Sequence, residues 1–167
     1  MIKIIERVAT HQNCQDTLTL PFDLRQKARL HATLDSGEEV GLFLQRGQVL
    51  RGGDVLKTES GDYIQVCAAK EEVSTVTCDS AHLFSRACYH LGNRHVPLEI
   101  SSDYLRYQHD HVLDDMLIQL GCEVSHEQAP FEPESGAYAN ANAHAHSHAH
   151  THTHTHTHGN SDHSHDG

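Results

Sequence analysis

The sequence predicts an α+β protein in three parts: a small all-β domain over residues 1–70, a domain of strands and helices over residues 71–134, and a disordered His-rich tail over residues 135–167. Apolar and polar residues alternate in the first part, which is the period of a strand with one buried face. Apolar residues three and four apart, the helical period, occur in the second part. No apolar pattern continues into the third part, which therefore cannot form a packed core.

The first part is predicted to contain short strands and turns. Alternation over residues 28–34 and 40–44, separated by the turn-forming residues 35–38, predicts a β-hairpin. Further strands are expected around Val49 and over residues 63–68, and no helical period is present. A small β-sandwich or an open barrel accommodates this pattern.

The second part begins with a β-branched strand over residues 73–78. Ser80 can cap a helix whose apolar stripe includes Leu83, Ala87 and Leu91, and Gly92 suits its end. The helical period therefore starts directly after the strand.

Two more strands are predicted over residues 96–100 and 104–108, followed by a helix that Asp110 caps and Gly121 ends. A last strand is expected to begin over residues 122–125. The order is βαββαβ, which is the ferredoxin-like arrangement.

The composition excludes several classes of function. The chain has 23 acidic and 12 basic residues, a formal charge of −11, so no nucleic-acid partner is expected. No apolar run reaches the roughly 20 residues of a membrane span, so no membrane association is expected. The N-terminus lacks a signal-peptide pattern, which favours a cytoplasmic location. The five cysteines form no CxxC pair, which argues against a zinc finger or a thioredoxin-type site.

Histidine alternates with small residues in the tail, where 10 of the 18 histidines of the chain lie. Neutral imidazole is a ligand for Ni²⁺, Cu²⁺, Zn²⁺ and Co²⁺, and an extended chain places alternate side chains on one side. The tract is also compatible with a purification tag or a solubilising repeat. The candidate ligands of the tail are His144, His146, His148, His150, His152, His154, His156, His158, His163 and His165.

Three histidines of the body are further candidates. His95 follows the first helix at the start of a strand, where a structural role with a carbonyl partner is the alternative. His109 and His111 are two residues apart, so at a strand end they face one side and can chelate a metal, or else they are solvated turn residues. The other body histidines are interpreted as ordinary surface or core residues, and these are His11, His31, His82, His90 and His126.

Two segments resemble a known family. Gly-Asn-Arg-His-Val-Pro-Leu at residues 92–98 and residues 104–117, which include His-Asp-His-Val-Leu-Asp-Asp-Met-Leu, are similar to urease accessory protein E, a family of nickel metallochaperones. Together with the His-rich C-terminus, the resemblance spans the whole chain. It implies an N-terminal β domain, a ferredoxin-like metal-binding domain and a variable tail.

The resemblance also implies roles for individual residues. The histidine matched by His95 binds metal on the two-fold axis of a homodimer, and those matched by His109 and His111 are additional ligands in some members. Cys78 matches a cysteine implicated in copper binding in some members. These roles are expectations that follow from the family, not from spacing.

The implied function is delivery of Ni²⁺ to the urease apoprotein, together with the urease GTPase and other accessory proteins, by a protein that is not an enzyme. Zn²⁺, Cu²⁺ and Co²⁺ are alternative ions. Two other functions remain open. The tail is compatible with a nickel or zinc buffer, and residues 109–111 are compatible with part of a metal-dependent hydrolase, although no second ligand cluster is evident in the sequence.

Overall fold

The computed structural model describes residues 1–9 and 13–137. Sheets and a few helices occupy successive parts of the chain up to residue 134, and this confirms the predicted α+β class. None of the helices in those two ranges is long and apolar enough to cross a membrane. The predictions for His11 and for the ten tail histidines lie outside the described residues.

Strands dominate the described part of the chain. The helices are α1 (Phe22–Arg25), α2 (Ala81–Asn93) and α3 (His111–Leu120). The strands are β1 (Ile2–Val8), β2 (Asp16–Leu20), β3 (Arg29–Thr33), β4 (Glu39–Phe43), β5 (Val55–Thr58), β6 (Tyr63–Ala68), β7 (Lys70–Thr77), β8 (Glu99–Ile100), β9 (Leu105–Gln108) and β10 (Glu123–Pro130).

The first six strands form one mixed sheet in the order β2-β6-β5-β1-β4-β3. The predicted hairpin is confirmed, because β3 and β4 pair antiparallel with Ala32 opposite Val40. Asp35 joins the two edges of the sheet: its N–H donates to the carbonyl of Thr17 (2.9 Å) on β2, and its carboxylate accepts from the hydroxyls of Thr17 and Thr19. The sheet therefore curls until its edges meet, as in an open barrel and not as in a two-sheet sandwich.

Two predictions for the first part are wrong. Residues around Val49 form no strand, since they belong to a loop that includes Gly47 and Gly53 at φ 81° and 91°, and the strand lies further on, at β5. The helix α1 was not predicted because a single turn of four residues is too short to show an apolar period. It buries Phe22 and Arg25, which lie on opposite ends of that turn.

The second sheet has the order β10-β7-β9-β8, and each pair of neighbours is antiparallel. Its elements follow the predicted order, with α2 between β7 and β8 and α3 between β9 and β10. The last strand continues to Pro130, well beyond the residues predicted for its start, and pairs with β7 along eight register positions. Leu91, Leu105 and Leu117 lie in the core of this sheet and its helices.

The helix termini were predicted in three cases out of four. Ser80 accepts from the N–H of Leu83, Asp110 accepts from the N–H groups of Val112 and Leu113, and Gly121 ends α3 at φ 106°. Gly92, in contrast, lies inside α2, which continues to Asn93.

The strand predicted over residues 96–100 is also shorter than expected. The first two residues of the predicted strand have no N–H group available for pairing with another strand. The N–H of Val96 donates to the carbonyl of Leu91 (3.3 Å), and Pro97 has no N–H. Strand β8 therefore begins only at Glu99.

Arg25 connects the two sheets from a fully buried position. Its guanidinium donates to the carbonyls of Leu20 (3.1 Å) and Leu50 (3.0 Å) in the first part. It also donates to the carbonyl of Phe131 and to the carboxylate of Glu132, both of which follow β10. One buried cation thus satisfies acceptors from both halves of the chain up to residue 134.

Candidate metal centre

Three neighbouring strands of the second sheet supply one row of polar side chains. Ser74 on β7 is opposite His126 on β10 and opposite Tyr107 on β9. Residues in register on adjacent strands point to the same face of a sheet. The row lies on the face where the phenol of Tyr107 reaches Asp114 of α3, so strand pairing and helix packing together assemble the cluster.

Asp114 is the centre of the cluster. It lies in the first turn of α3, where the helix dipole favours a negative charge, and only 4% of its surface is exposed. The Tyr107 hydroxyl donates to Oδ1 (2.6 Å), and Nε2 of His126 lies 2.7 Å from Oδ2. Burial alone would raise the pKa of this carboxyl, but hydrogen bonds with Tyr107, Ser74 and His126 outweigh it and hold the pKa below its ordinary value of 3.8. The carboxylate is therefore ionised at neutral pH.

His109 completes the cluster. Its Nδ1 atom lies 3.2 Å from Oδ2 of Asp114 and 3.1 Å from the hydroxyl of Ser74. Its ring packs edge-on against that of His126, with centroids 4.2 Å apart and an interplanar angle of 62°. Its N–H donates to the carbonyl of Glu72 (3.1 Å), which fixes the backbone where β9 ends.

The donor set suits a borderline divalent ion. His109, Asp114 and His126 each offer one ligand atom, and these atoms all lie within 4.8 Å of one another. Imidazole nitrogen and carboxylate oxygen are ligands for Ni²⁺, Zn²⁺, Co²⁺ and Cu²⁺. The side chain of His126 is 56% exposed, so an ion has access from solvent.

The predicted placement of His109 and His111 on one side of a strand is wrong, whereas their role as ligands stays a prediction. Strand β9 ends at Gln108, and His111 is already the first residue of α3. The alternation of a strand therefore does not apply to this pair. His111 is exposed and does not belong to the His109 cluster.

His95 occupies an unusual backbone position. It was predicted at the start of a strand, but it directly follows the C-cap of α2, where it has φ 57°. Its N–H donates to the carbonyl of Gly92 (2.9 Å) and the next N–H, that of Val96, donates to Leu91 (3.3 Å). This is a Schellman motif, in which the left-handed position is usually glycine.

The imidazole of His95 is not needed for this turn. In residues 1–9 and 13–137, His95 is the one non-glycine residue with positive φ, and the residue is exposed. A left-handed conformation costs a side chain roughly 1 kcal/mol relative to glycine. Such strain at an exposed histidine is typical of a functional position.

Cys78 follows β7 and lies apart from the His109 cluster. Its Sγ is 3.4 Å from Sγ of Cys122, which follows α3. Burial, together with contact with Cys78, raises the pKa of the Cys122 thiol to about 12. Cys122 therefore retains its proton near neutral pH in the metal-free protein.

Sequence analysis missed His126 and Asp114 as candidates. His126 was interpreted as an ordinary surface or core residue because it has no neighbouring histidine in the sequence. A usable signal existed: Val124 and His126 are two residues apart and share one face of β10, and Val124 packs on the core. Asp114 belongs to the segment 104–117 but carried no signal of its own.

Comparison with known families matches both parts of the chain. Residues 1–69 match the model of the N-terminal domain of the UreE urease accessory protein. Residues 71–165 match the model of its C-terminal domain. The matched ranges together cover nearly all of the sequence.

Curated relatives are similar over most of their length. A urease accessory protein UreE of Alkalilimnicola ehrlichii is 56% identical over 138 residues, which are 83% of this chain and 85% of the relative. The protein of that name from Tolumonas auensis is 55% identical over 143 residues, 83% of this chain and 76% of the relative. One from Pseudomonas putida is 61% identical over 123 residues, 73% and 74% of the two chains.

Proposed function

Because the chain belongs to the UreE urease accessory protein family, we propose that it is a metallochaperone that delivers Ni²⁺ to the urease apoprotein during assembly of its metallocentre. Membership gives the chain an accessory role in urease assembly. The family consists of accessory proteins and not of enzymes, which confirms the prediction that this chain is not an enzyme. The metal is a cargo, so the binding groups must both take it up and release it.

The single observation that best supports nickel handling in this chain is the conformation of His95. It presents an exposed imidazole from a backbone position where glycine would be less strained. One histidine cannot fill a coordination shell, but a two-fold axis brings two identical residues together. We therefore propose a homodimer in which both His95 side chains share one nickel ion.

Exposed apolar side chains on the two longer helices support a second copy of the chain as partner. Tyr89 on α2 and Val112 and Ile118 on α3 are more than half exposed. A protein interface would remove these apolar side chains from water. The remaining partners in this proposal are the urease apoprotein, the urease GTPase and the other accessory proteins, in the cytoplasm.

The proposal assigns a task to each part of the chain. Residues 1–70 form a β domain, residues 71–134 form the metal-binding domain, and residues 135–167 act as a metal reservoir with rapidly exchanging histidines. The antiparallel order β10-β7-β9-β8 supports a ferredoxin-like topology for the metal-binding domain. His109, His111 and Cys78 are proposed as secondary ligands, for nickel or for Zn²⁺, Cu²⁺ or Co²⁺.

The decisive experiment uses His95→Gly, because glycine fits the left-handed turn and removes the imidazole without disturbing the fold. Activation of apo-urease is measured with purified accessory proteins at limiting nickel and again in excess nickel. We expect a large loss of activation with limiting nickel and recovery in excess. Equal activation by the variant and the parent protein at limiting nickel would contradict the role of His95.

The histidine content of the tail favours one second candidate, a metal buffer that stores nickel or zinc. A buffer and a chaperone differ in what His95→Gly does to them. The variant keeps all ten tail histidines and so keeps nearly all of its buffering capacity. If His95→Gly keeps its metal-binding capacity but loses urease activation, the protein is a chaperone. If urease activation in a series of variants follows the total amount of bound metal, the protein is a buffer.

A further inference from the structure

We propose that His109, Asp114 and His126 form a divalent-metal site within one chain, separate from His95 and without His111. The site takes a borderline first-row ion, for which Zn²⁺ is a suitable probe. It depends neither on a dimer nor on the tail, because one chain supplies every ligand: Asp114 from α3, His126 from β10 and His109 from the segment between β9 and α3.

The ligand atoms are already near the spacing that an ion requires. Nδ1 of His109 and Nε2 of His126 approach the same oxygen, Oδ2 of Asp114, at 3.2 Å and 2.7 Å. Ligand atoms of a tetrahedral zinc ion with bonds near 2.0 Å are about 3.3 Å apart. Binding therefore requires the exposed His126 ring to move outward from Oδ2, and the two imidazole nitrogens, which lie within 4.8 Å of one another, to adjust to the same spacing.

The partners of the ligands hold them in place. Tyr107 donates to Oδ1 of Asp114 and leaves Oδ2 to face the two imidazoles. The hydroxyl of Ser74 lies 3.1 Å from the nitrogen of His109 that would bind the ion and gives way on binding, whereas Asp114 stays fixed by its helix and by the Tyr107 hydrogen bond. Outer contacts of this kind orient metal ligands and raise affinity.

The cluster is open on one side. The side chain of His126 is 56% exposed and that of His109 is 27% exposed, whereas that of Asp114 is 6% exposed. Two imidazoles and one carboxylate, with a further position open to water, match the coordination of exchangeable zinc sites and not of closed structural ones. A purely structural network of hydrogen bonds is the competing explanation, and it requires no metal.

Residue-resolved protection of histidines separates these explanations in the full-length protein. Diethyl pyrocarbonate acylates an unprotonated imidazole nitrogen, and a coordinated ring is protected because its other nitrogen carries a proton. The reaction is followed by peptide mass spectrometry while a chelator buffer sets free Zn²⁺, so that the tail histidines do not change the free concentration. We expect His109 and His126 to become protected together, while His31, exposed on β3, stays reactive.

Two matched variants test the ligand set. His126→Gln alters an exposed strand residue and should raise the free Zn²⁺ that half-protects His109 at least about tenfold, since even outer-contact changes cost 10- to 100-fold. His82→Gln alters an exposed histidine on α2 to which no metal role is assigned, and should leave that value within about twofold. Circular dichroism checks that both variants fold like the parent protein.

Three results would overturn the proposal: no protection of His109 and His126 at any free Zn²⁺ up to saturation of the tail, protection of His109 together with His111 but not with His126, or a shift caused by His82→Gln as large as that caused by His126→Gln. The test is independent of the nickel-delivery proposal. Lost urease activation in His95→Gly with intact protection of His109 and His126 would support both, and each can fail alone.

Discussion

Arg25 donates a hydrogen bond to the main-chain oxygen of Phe131, so a side chain in the first half of the chain holds the segment that follows β10. The same guanidinium is paired with Glu132 and lies 5.6 Å from the ring centroid of Phe22. Phe22 and Phe131 in turn pack edge-to-face, with centroids 5.4 Å apart. A charge, two carbonyl acceptors from the first part and an aromatic pair therefore meet at the junction of the two sheets.

Substitution of Arg25 by Met is expected to destabilise the protein by about 3–5 kcal/mol, because it leaves several buried acceptors and Glu132 without their cation. Urea unfolding followed by circular dichroism measures the change. Arg29→Met is the matched control, since Arg29 is exposed on β3 over the ring of Phe43 and its loss should cost less than about 1 kcal/mol. Similar losses in the two variants would contradict the special role of Arg25.

Substitution of His95 by Gly is expected to stabilise the protein by about 0.5–1 kcal/mol, because glycine adopts φ 57° without a side-chain clash but gains more freedom on unfolding. The comparison is made in metal-free protein by thermal and urea unfolding. Asn93→Gly provides the control: Asn93 is the last residue of α2, and glycine in a helix destabilises by a similar amount. A His95→Gly variant that is less stable than the parent protein would show that the imidazole contributes to folding.

The pH dependence of stability should reveal the buried phenol of Tyr107. Burial, and then its hydrogen bond to Asp114, raises its pKa above the ordinary 10.0, so the folded state keeps a proton that the unfolded state loses. Its contribution to stability is complete below pH 10 and declines above it, by about 1.4 kcal/mol per pH unit. Tyr107→Phe should remove this part of the slope between about pH 10 and 11.

Urea titrations at fixed pH values measure the slope for Tyr107→Phe and for Tyr89→Phe, which alters an exposed ring on α2. The Tyr89 variant should retain the slope of the parent protein. At pH 8 the Tyr107 variant should already be less stable by about 1–2 kcal/mol, because one oxygen of Asp114 loses its donor. Parallel slopes for all three proteins would contradict the assignment.

Removal of residues 144–167 should lower the number of metal ions bound per chain while the remaining protein stays folded and retains at least one site. The reason is that these residues carry ten of the histidines but none of the described core. Equilibrium dialysis with Ni²⁺ gives the number of ions, and circular dichroism reports the fold. An insoluble truncated protein, or an unchanged number of ions, would refute the separation of body and tail.

The parts of the fold that sequence predicted best are those with a local cause. The α3 helix follows from the Asp110 cap, the apolar stripe and Gly121, all within a dozen residues. The hairpin of β3 and β4 likewise follows from alternation on both sides of one turn. The single turn α1 and the parallel pairing of β1 with β4 have no local pattern, and they could not be predicted.

The candidate site shows the same division. His109 was predicted from its own segment, but its contact with His126 depends on β10 lying beside β7, which is a long-range pairing. Asp114 was not predicted as a site residue because a carboxylate in the first turn of a helix is usually solvated. Only the packing of α3 on Tyr107 buries it. His95 was predicted as a candidate ligand, but its left-handed backbone conformation was not predicted. The reason is that Gly92 suggested a helix end at glycine, which is the more usual case.

The pairing of β10 with β7 also determines when the cluster can exist. Residues 123–130 join residues 70–77, so the second sheet stays incomplete until its last strand has been synthesised and has crossed back over the chain. Pairings of such long range are slow steps in folding, and at the usual pace of translation the two strands leave the ribosome several seconds apart, on the order of 3 to 10 s. The nascent chain therefore contains His109 and Asp114 before His126 has been synthesised. The three side chains come together only when β10 pairs with β7.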